Sequence, residues 1–290
     1  LKAALIGQGI GASLTPVMHE AEARAQSFEY RYERFDTAHA PYADMPLEDL
    51  ISKAEQEGYA GLNITHPYKT RAAGLVDELS GPAKELGVIN TIVFKGGKRI
   101  GYNTDYTGFG TAFRHEFNGV VGERVLLLGA GGAGLAVALA LIDHPVEKLT
   151  VFDRLPKQAL ALVNRLAISR PCAQVSVISS IHKIETSEVD GVVNATPMGM
   201  ADYPGVAINP DFLTSSQWVF DIVYFPQETE LLLKAKQRGC RVVSGVSMAV
   251  FQAAAAFSLI TGKAADPARM ATVFEPISRA NQIQNAGALL

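Results

Sequence analysis

From Val125 to Ile142 the chain runs 18 residues without a charge, the lower limit for a membrane-spanning helix. The punctuation of the run points elsewhere. A β-type stretch, Val125-Leu126-Leu127-Leu128, is followed at once by Gly129, Gly131, Gly132 and Gly134, and only then by a helix-length apolar segment. Glycines in that number suit a strand, a tight turn and a buried helix rather than a membrane span. The order Gly129-Ala130-Gly131-Gly132-Ala133-Gly134, between a predicted strand and a predicted helix over 131–142, is also what a pyrophosphate requires. Glycines there permit the turn, the close approach of backbone to ligand, and the packing of helix on strand. The helix start adds free N–H groups and a positive dipole end. Asp153 ends the next predicted strand 19 residues beyond Gly134, where a carboxylate can accept from a ribose 2′-OH. That charge repels a 2′-phosphate and favours NAD over NADP, whereas the adjacent Arg154 can tolerate the extra phosphate. A helix cap or a surface charge is the structural alternative for Asp153.

The remainder of the chain alternates strands and helices. Strands are predicted at Ala3–Ile6, Tyr30–Phe35, Tyr59–Ile64, Ile89–Phe94 and Arg99–Tyr102, and helices at Pro16–Gln26 and Leu47–Glu57. Lys95-Gly96-Gly97-Lys98 reads as a hairpin turn. From Arg124 a second series follows: strands 124–128, 148–152, 174–178, 190–194 and 217–223, helices 131–142 and 156–168, and an alanine-rich helical end over 245–290. The pattern predicts an α/β protein with mainly parallel sheets covered on both faces. A length of 290 residues suits two domains. The expected division is 1–108, completed by 245–290, and 109–244.

Composition narrows the function classes. With 48% hydrophobic and 19% charged residues the chain is not disordered. A net charge of −3 offers no basic excess for nucleic acid. Cys172 and Cys240 are the only cysteines and have no CxxC spacing, which gives neither a disulfide framework nor a metal site. The apolar start Leu1–Ile6 is too short for a signal peptide. A reduced, cytoplasmic, soluble protein is expected, with no membrane or nucleic-acid partner, as a monomer or homodimer.

Polar side chains gather at the ends of predicted strands in the front half: Ser13 and Thr15; Asn63, Thr65, His66 and Lys69; Asn90 and Thr91; Asn103, Thr104 and Asp105. The C-terminal ends of parallel strands face the ligand crevice. Ser, Thr and Asn suit a hydroxylated, carboxylated small molecule. Lys69 and Asp105 supply an acid/base pair, which oxidation of a hydroxyl to a carbonyl needs because the hydroxyl proton must leave as hydride leaves carbon. Each segment taken alone is also ordinary turn and cap chemistry.

Taken together, from Ile6 to Gly262, these segments resemble the shikimate/quinate dehydrogenase family. The matching stretches are Ser13–His19, Gly61–Lys69, Gly87–Thr91, Gly101–Phe109, the glycine loop, Asn194–Met200, Asp221–Pro226 and Gly245–Gln252. The resemblance implies a substrate-binding domain and a Rossmann domain with the active site in the cleft between them. It also implies reversible oxidation of a ring hydroxyl of shikimate or quinate to the 3-dehydro ketone. By position, Lys69 and Asp105 match the catalytic pair, and Ser13 and Thr15 the hydroxyls that hold the substrate carboxylate. Asn63, Thr65, Asn90, Tyr224 and Gln252 match its other contacts. Ala195, Thr196, Ile222, Gly245 and Met248 fall where the family lines the nicotinamide pocket. Thr15 replaces the Ser usual in members dedicated to shikimate biosynthesis, and with Asp153 it resembles the NAD-dependent quinate/shikimate enzymes of catabolism. Two other readings stay open: a paralogue acting on an aminated or altered ring, and an NAD-sensing binding protein without turnover.

Overall fold

A computed structural model describes residues 1–117, 124–144 and 146–276. The chain divides into two compact units. One comprises Leu1–Thr104 with the described residues from Val250 onward, and the other Asp105–Ala249.

The first unit opens with β1 (Lys2–Gly7), α1 (Thr15–Ala25) and β2 (Arg31–Asp36), followed by α2 (Leu47–Gln56) and β3 (Gly61–Ile64). Next come α3 (Lys69–Ala73), β4 (Glu78–Leu79), α4 (Pro82–Leu86), β5 (Thr91–Lys95) and β6 (Lys98–Tyr102). Its sheet has the order β2-β1-β3-β5-β6-β4. The sheets are mainly parallel, as expected, and the exception is in this one: β1 runs parallel to β2 and β3 and β4 parallel to β6, but β5 is antiparallel to both β3 and β6. The reason is local, because a turn as short as Gly96-Gly97, with φ of 61° and 74°, can join only antiparallel strands. Both faces of the sheet are buried. Ala4, Ile6, Phe35, Leu62 and Ile92 pack beneath α2, whose Leu47, Leu50, Ile51 and Ala54 form the expected helical stripe. Ala3, Leu5, Tyr32 and Val93 point the other way, towards Ile260.

The second unit holds β7 (Arg124–Leu128), β8 (Lys148–Phe152), β9 (Gln174–Val177), β10 (Gly191–Asn194), β11 (Trp218–Asp221) and β12 (Arg241–Ser244). Its helices are α5 (Thr104–Phe117), α6 (Gly132–Ile142), α7 (Pro156–Ser169) and α8 (Glu230–Gln237), while α9 (Val246–Thr261) runs on into the first unit. The sheet is wholly parallel, in the order β12-β11-β10-β7-β8-β9. This is the doubly wound arrangement with its switch point between β10 and β7. The uncharged run resolves as strand, turn and helix, and among the described residues no helix is long and apolar enough to cross a membrane. Helix α5 shows an apolar stripe of its own, Phe109, Ala112, Phe113 and Phe117, all buried.

The final described helix, α10 (Pro267–Ala271), is tied to α1 through Glu22. That fully buried carboxylate accepts from Arg269 Nε at 2.7 Å and from the Asp266 amide at 3.0 Å. The helical end expected over 245–290 is thus present as α9 and α10, and its part from 277 on lies outside the described residues.

Candidate active site

In the first unit the strand ends build one buried polar network. Asn63 on β3 faces Thr91 on β5, and Thr91 faces Tyr102 on β6. Asn63 Nδ2 donates to Thr91 Oγ1 at 3.0 Å and to the Asn90 carbonyl at 3.3 Å, while Asn63 Oδ1 accepts from Tyr32 at 2.7 Å. Asn90 Oδ1 accepts from the Thr104 amide at 2.7 Å, and Asn90 Nδ2 donates to Thr104 Oγ1 at 2.9 Å. Thr104 Oγ1 also lies 3.5 Å from Gln252 Oε1 on α9. Asn63, Asn90, Thr91 and Thr104 are all buried. Each therefore needs these partners, since an unpaired buried polar group costs about 1–3 kcal/mol.

Ser13 and Thr15 are brought together at the start of α1, with Ser13 Oγ donating to Thr15 Oγ1 at 3.3 Å and the Thr15 amide donating to Ser13 Oγ at 3.4 Å. Two side chains from β2 pin their loop. Arg34 Nη2 donates to the Ser13 carbonyl at 2.8 Å. Asp36 accepts from the amides of Gly9 at 2.8 Å and Ile10 at 3.0 Å. Burial pushes the Asp36 carboxyl up, but the Ala38, Gly9 and Ile10 amides, with His39 nearby, outweigh it and hold the group below its ordinary value. Thr65 continues β3, its backbone N–H donating a hydrogen bond to the Ile6 carbonyl at 2.9 Å. Lys69 opens α3, and its carbonyl accepts from the Ile89 amide at 3.1 Å, so its backbone is docked one residue from Asn90. His66 is exposed and contributes its carbonyl to the Gln8 amide.

In the second unit Asp105 sits in the first turn of α5 and is buried, and Tyr224 is half-buried in the segment after β11. The glycine loop has the geometry that a dinucleotide needs. Gly129 has φ +97°, and a Cβ on it would stand 2.8 Å from the Ala195 carbonyl oxygen. On Gly134 a Cβ would stand 2.1 Å from the Gly129 carbonyl oxygen, so α6 can start against the strand only if that residue is glycine. Gly131, the N-cap of α6, has nothing within 4 Å of its Cβ position. That open edge, with Gly132 and Ala133 in the first helical turn behind it, is where backbone N–H groups are available to an anion. The residues of this chain fit the dinucleotide phosphates.

Asp153 acts in an additional way. Its Oδ2 accepts from the Ala130 amide at 2.7 Å and its Oδ1 from the Leu155 amide at 2.8 Å, so it latches the loop to the end of β8. Leu155, not Asp153, is the N-cap of α7, and Arg154 is exposed. Each oxygen of Asp153 keeps acceptor capacity for a hydroxyl.

The segments after β10, β11 and β12 also converge. Ala195 and Thr196 pack on Gly129, and a Cβ on Gly245 would stand 2.3 Å from the Ile222 carbonyl oxygen. Met248 is buried in the first turn of α9. Beneath them lies a carboxylate with a clear structural task. Asp221 is fully buried and accepts from Thr229 Oγ1 at 2.6 Å, Asn194 Nδ2 at 2.9 Å and the Val223 amide at 3.0 Å. Asn194 Oδ1 in turn accepts from Thr196 Oγ1 at 2.6 Å. Burial pushes the Asp221 carboxyl up to about 6, against the pull of those three donors. Tyr32, Asp36, Asn194, Asp221 and Thr229 are absent from the site residues drawn from the sequence. Asn194 and Asp221 open two of the stretches that match the family, and Asp36, like Asp153, is an acidic residue closing a strand, whereas Tyr32 and Thr229 carried no such signal.

Comparison with known proteins agrees with this construction. Residues 5–92 match the model of the shikimate dehydrogenase substrate binding domain. The chain is 44% identical over 273 residues to the quinate/shikimate dehydrogenase (NAD(+)) of Corynebacterium glutamicum (strain R), covering 93% of this chain and 96% of the relative. It is 42% identical over 270 residues to the shikimate dehydrogenase (NADP(+)) of Streptomyces avermitilis, covering 92% of each. The solved structure of quinate dehydrogenase from Corynebacterium glutamicum in complex with NAD matches with a TM-score of 0.90 at 42% identity, over 95% of this chain and 99% of that one. Similarity of this depth along both units leaves one conclusion: the chain belongs to the quinate/shikimate dehydrogenase family.

Proposed function

We propose that this protein reversibly oxidises a ring hydroxyl of quinate or shikimate to the 3-dehydro ketone with NAD. The observation that carries the reading is the glycine cradle latched by Asp153, in a chain that also supplies a hydroxyl and amide network for a polyhydroxylated acid. Gly129–Gly134 hold the cofactor's phosphates, Asp153 accepts from its ribose, and Ala195, Thr196, Ile222, Gly245 and Met248 line the nicotinamide. NAD, when bound, takes up the hydride that leaves the substrate carbon. Lys69 takes the hydroxyl proton as the C–H bond breaks, and Asp105 orients the Lys69 ammonium and the substrate hydroxyl. Ser13 and Thr15 donate to the substrate carboxylate. Asn63, Thr65, Asn90, Tyr224 and Gln252 fix the ring, so that one hydroxyl meets Lys69. The Asp153 carboxylate, held by the Ala130 and Leu155 amides, disfavours NADP, whose 2′-phosphate would meet a like charge. Residues 1–108 with 245–290 act as the substrate domain and 109–244 as the NAD domain of a cytoplasmic monomer or homodimer.

Steady-state kinetics with quinate and shikimate, each against NAD and NADP, test the reading. NADH formation with at least one acid, and a kcat/KM at least tenfold better with NAD than NADP, is the expected result. Absence of turnover with both acids would overturn it in favour of an aminated or altered ring, or of a binding protein.

A further inference from the structure

Hydrogen bonding does not by itself explain why residue 221 is an aspartate. The Asn194 amide is oriented independently of it, since Oδ1 accepts from the Thr196 amide at 3.0 Å and Nδ2 donates to the Met198 carbonyl at 3.1 Å. The group that meets Asp221 Oδ1 at 2.9 Å is therefore a donor. The Val223 N–H can only donate. The Thr229 hydroxyl accepts from the Leu232 amide at the start of α8, which leaves its hydrogen for Asp221. Three donors suit a carboxylate, and burial raises its pKa only to about 6, so it is charged at pH 8. An asparagine could take the Asn194 and Val223 hydrogen bonds on its amide oxygen without burying a charge. Buried charges are ordinarily paired, yet among the described residues no cation faces this one. Asn194 from β10, Thr229 from the start of α8 and the Val223 amide are all neutral.

The place of the charge supplies a reason. Asp221 closes β11 directly before Ile222, and Asn194 closes β10 directly before Ala195 and Thr196. Asn194 bridges the carboxylate to the Thr196 hydroxyl, at 2.9 and 2.6 Å, and the Ile222 carbonyl abuts Gly245. The anion thus lies immediately behind the segments assigned to the nicotinamide, all of them within the second unit. An oxidised nicotinamide is a cation and a reduced one is neutral. Hydride transfer from the substrate carbon to the ring removes that charge, while the hydroxyl proton leaves separately to Lys69. A fixed anion in the protein interior acts across such a gap because a low effective dielectric preserves its field.

We propose that Asp221 is the counter-charge of the oxidised nicotinamide, so that it favours NAD over NADH and poises the bound cofactor towards hydride donation. The proposal rests on the NAD reading of this site and deepens it by assigning a preference for one redox state. Calorimetric titration of the whole chain with NAD, NADH and ADP-ribose separates charge from scaffold, because ADP-ribose keeps the contacts to the glycine loop and lacks the ring. In Asp221→Asn the Kd for NAD should rise about tenfold, while those for NADH and ADP-ribose stay within about twofold. If that variant does not fold, the wild type carries the same test in its pH dependence. Protonation removes the charge as pH falls through about 6. The ratio of Kd for NAD to Kd for NADH should therefore rise about fivefold between pH 8 and pH 5. Equal weakening of NAD and NADH in Asp221→Asn marks a loosened scaffold and overturns the proposal, as does a wild-type ratio that ignores pH. A wild type that binds neither NAD nor NADH sinks the cofactor reading itself, whereas NAD binding with an unchanged ratio in the variant sinks only the role of Asp221.

Discussion

Each unit contains the same strand, helix, parallel-strand motif, β1-α1-β2 in the first and, after α5, β7-α6-β8 in the second, and each uses a carboxylate at the end of the second strand to latch the loop after the first. Asp36 takes the amides of Gly9 and Ile10 in one, and Asp153 takes the amide of Ala130 in the other. The difference lies in what the loop does next. In the second unit three residues separate β7 from α6, and the helix start itself presents backbone N–H groups. In the first, seven residues separate β1 from α1, and Ser13 and Thr15 bring side-chain hydroxyls to the helix start. One scaffold thus yields a backbone cradle suited to phosphate, which carries no side-chain information. The other yields a side-chain surface suited to telling one small acid from another. The same contrast runs through the sheets: wholly parallel where strand ends must face one crevice, mixed where buried amides from neighbouring antiparallel strands must meet.

This contrast can be broken at several points. The largest effect should come from Lys69→Ala, which lowers kcat by about 10²–10⁴-fold and leaves NAD affinity, read by cofactor fluorescence, unchanged. A comparable loss of NAD affinity would mean that the two tasks are not separable. Next comes Gly134→Ala, whose new Cβ must displace the Gly129 carbonyl from 2.1 Å. It should weaken NAD about a hundredfold or unfold the second unit, while Gly131→Ala, with open space around it, keeps the thermal midpoint and weakens NAD alone. The paired latch variants should then diverge. Asp36→Asn raises KM for the acid about tenfold, Asp153→Asn raises KM for NAD and narrows its advantage over NADP, and each leaves the other KM nearly unchanged.

The smallest effect is a pH response of opposite sign in the two units. Burial lowers the His19 imidazole from 6.5 to about 3 in the folded chain, although the Ala253 backbone works against it. Its contribution to stability is therefore present above pH 6.5 and lost as pH falls towards 3. The Asp221 carboxyl is raised from 3.8 to about 6, so its contribution is present below pH 3.8 and lost as pH rises through 6. Between pH 7 and pH 5 the His19 linkage costs about 2 kcal/mol and the Asp221 linkage returns about 1 kcal/mol. Hydrogen exchange, corrected for intrinsic rates, should show β1 and β3 losing protection relative to β10 and β11 on acidification. His19→Phe should abolish the loss, and equal protection of both sheets at pH 5 would contradict the assignment.

Much of this molecule is legible in its residues because the signals are local. Val125–Leu128 followed by glycines permits a single strand-turn-helix reading, and Leu47, Leu50, Ile51 and Ala54 mark one helical face. Other elements escape such reading for equally physical reasons. Helix α5 starts inside the polar Asn103-Thr104-Asp105 segment and carries Gly108 and Gly110, which mask the stripe of Phe109, Phe113 and Phe117. The five-residue helix α3 is too short to show a period, yet it sets where Lys69 begins. Strand β4, two residues long, owes its place to pairing with β6 rather than to its own composition. The spacing of Asp153 suggested a ribose acceptor, but its hold on the Ala130 amide was not legible, because a hydrogen bond across 23 residues leaves no mark in local pattern.

The sequence alone determined the alternation of elements, the glycine loop and the set of polar side chains at strand ends. It did so because backbone conformation and burial answer to neighbours a few positions away. Tertiary structure decided which way each of those side chains faces. Asn63 turns its amide nitrogen one way and its oxygen the other because a carbonyl just before β5 and a phenol from β2 stand on its two sides. Asp221 is an anchor because three donors from separate segments close around a carboxylate that water cannot reach. Donor and acceptor roles in a buried site are set by partners distant along the chain, and only the folded packing brings those partners together.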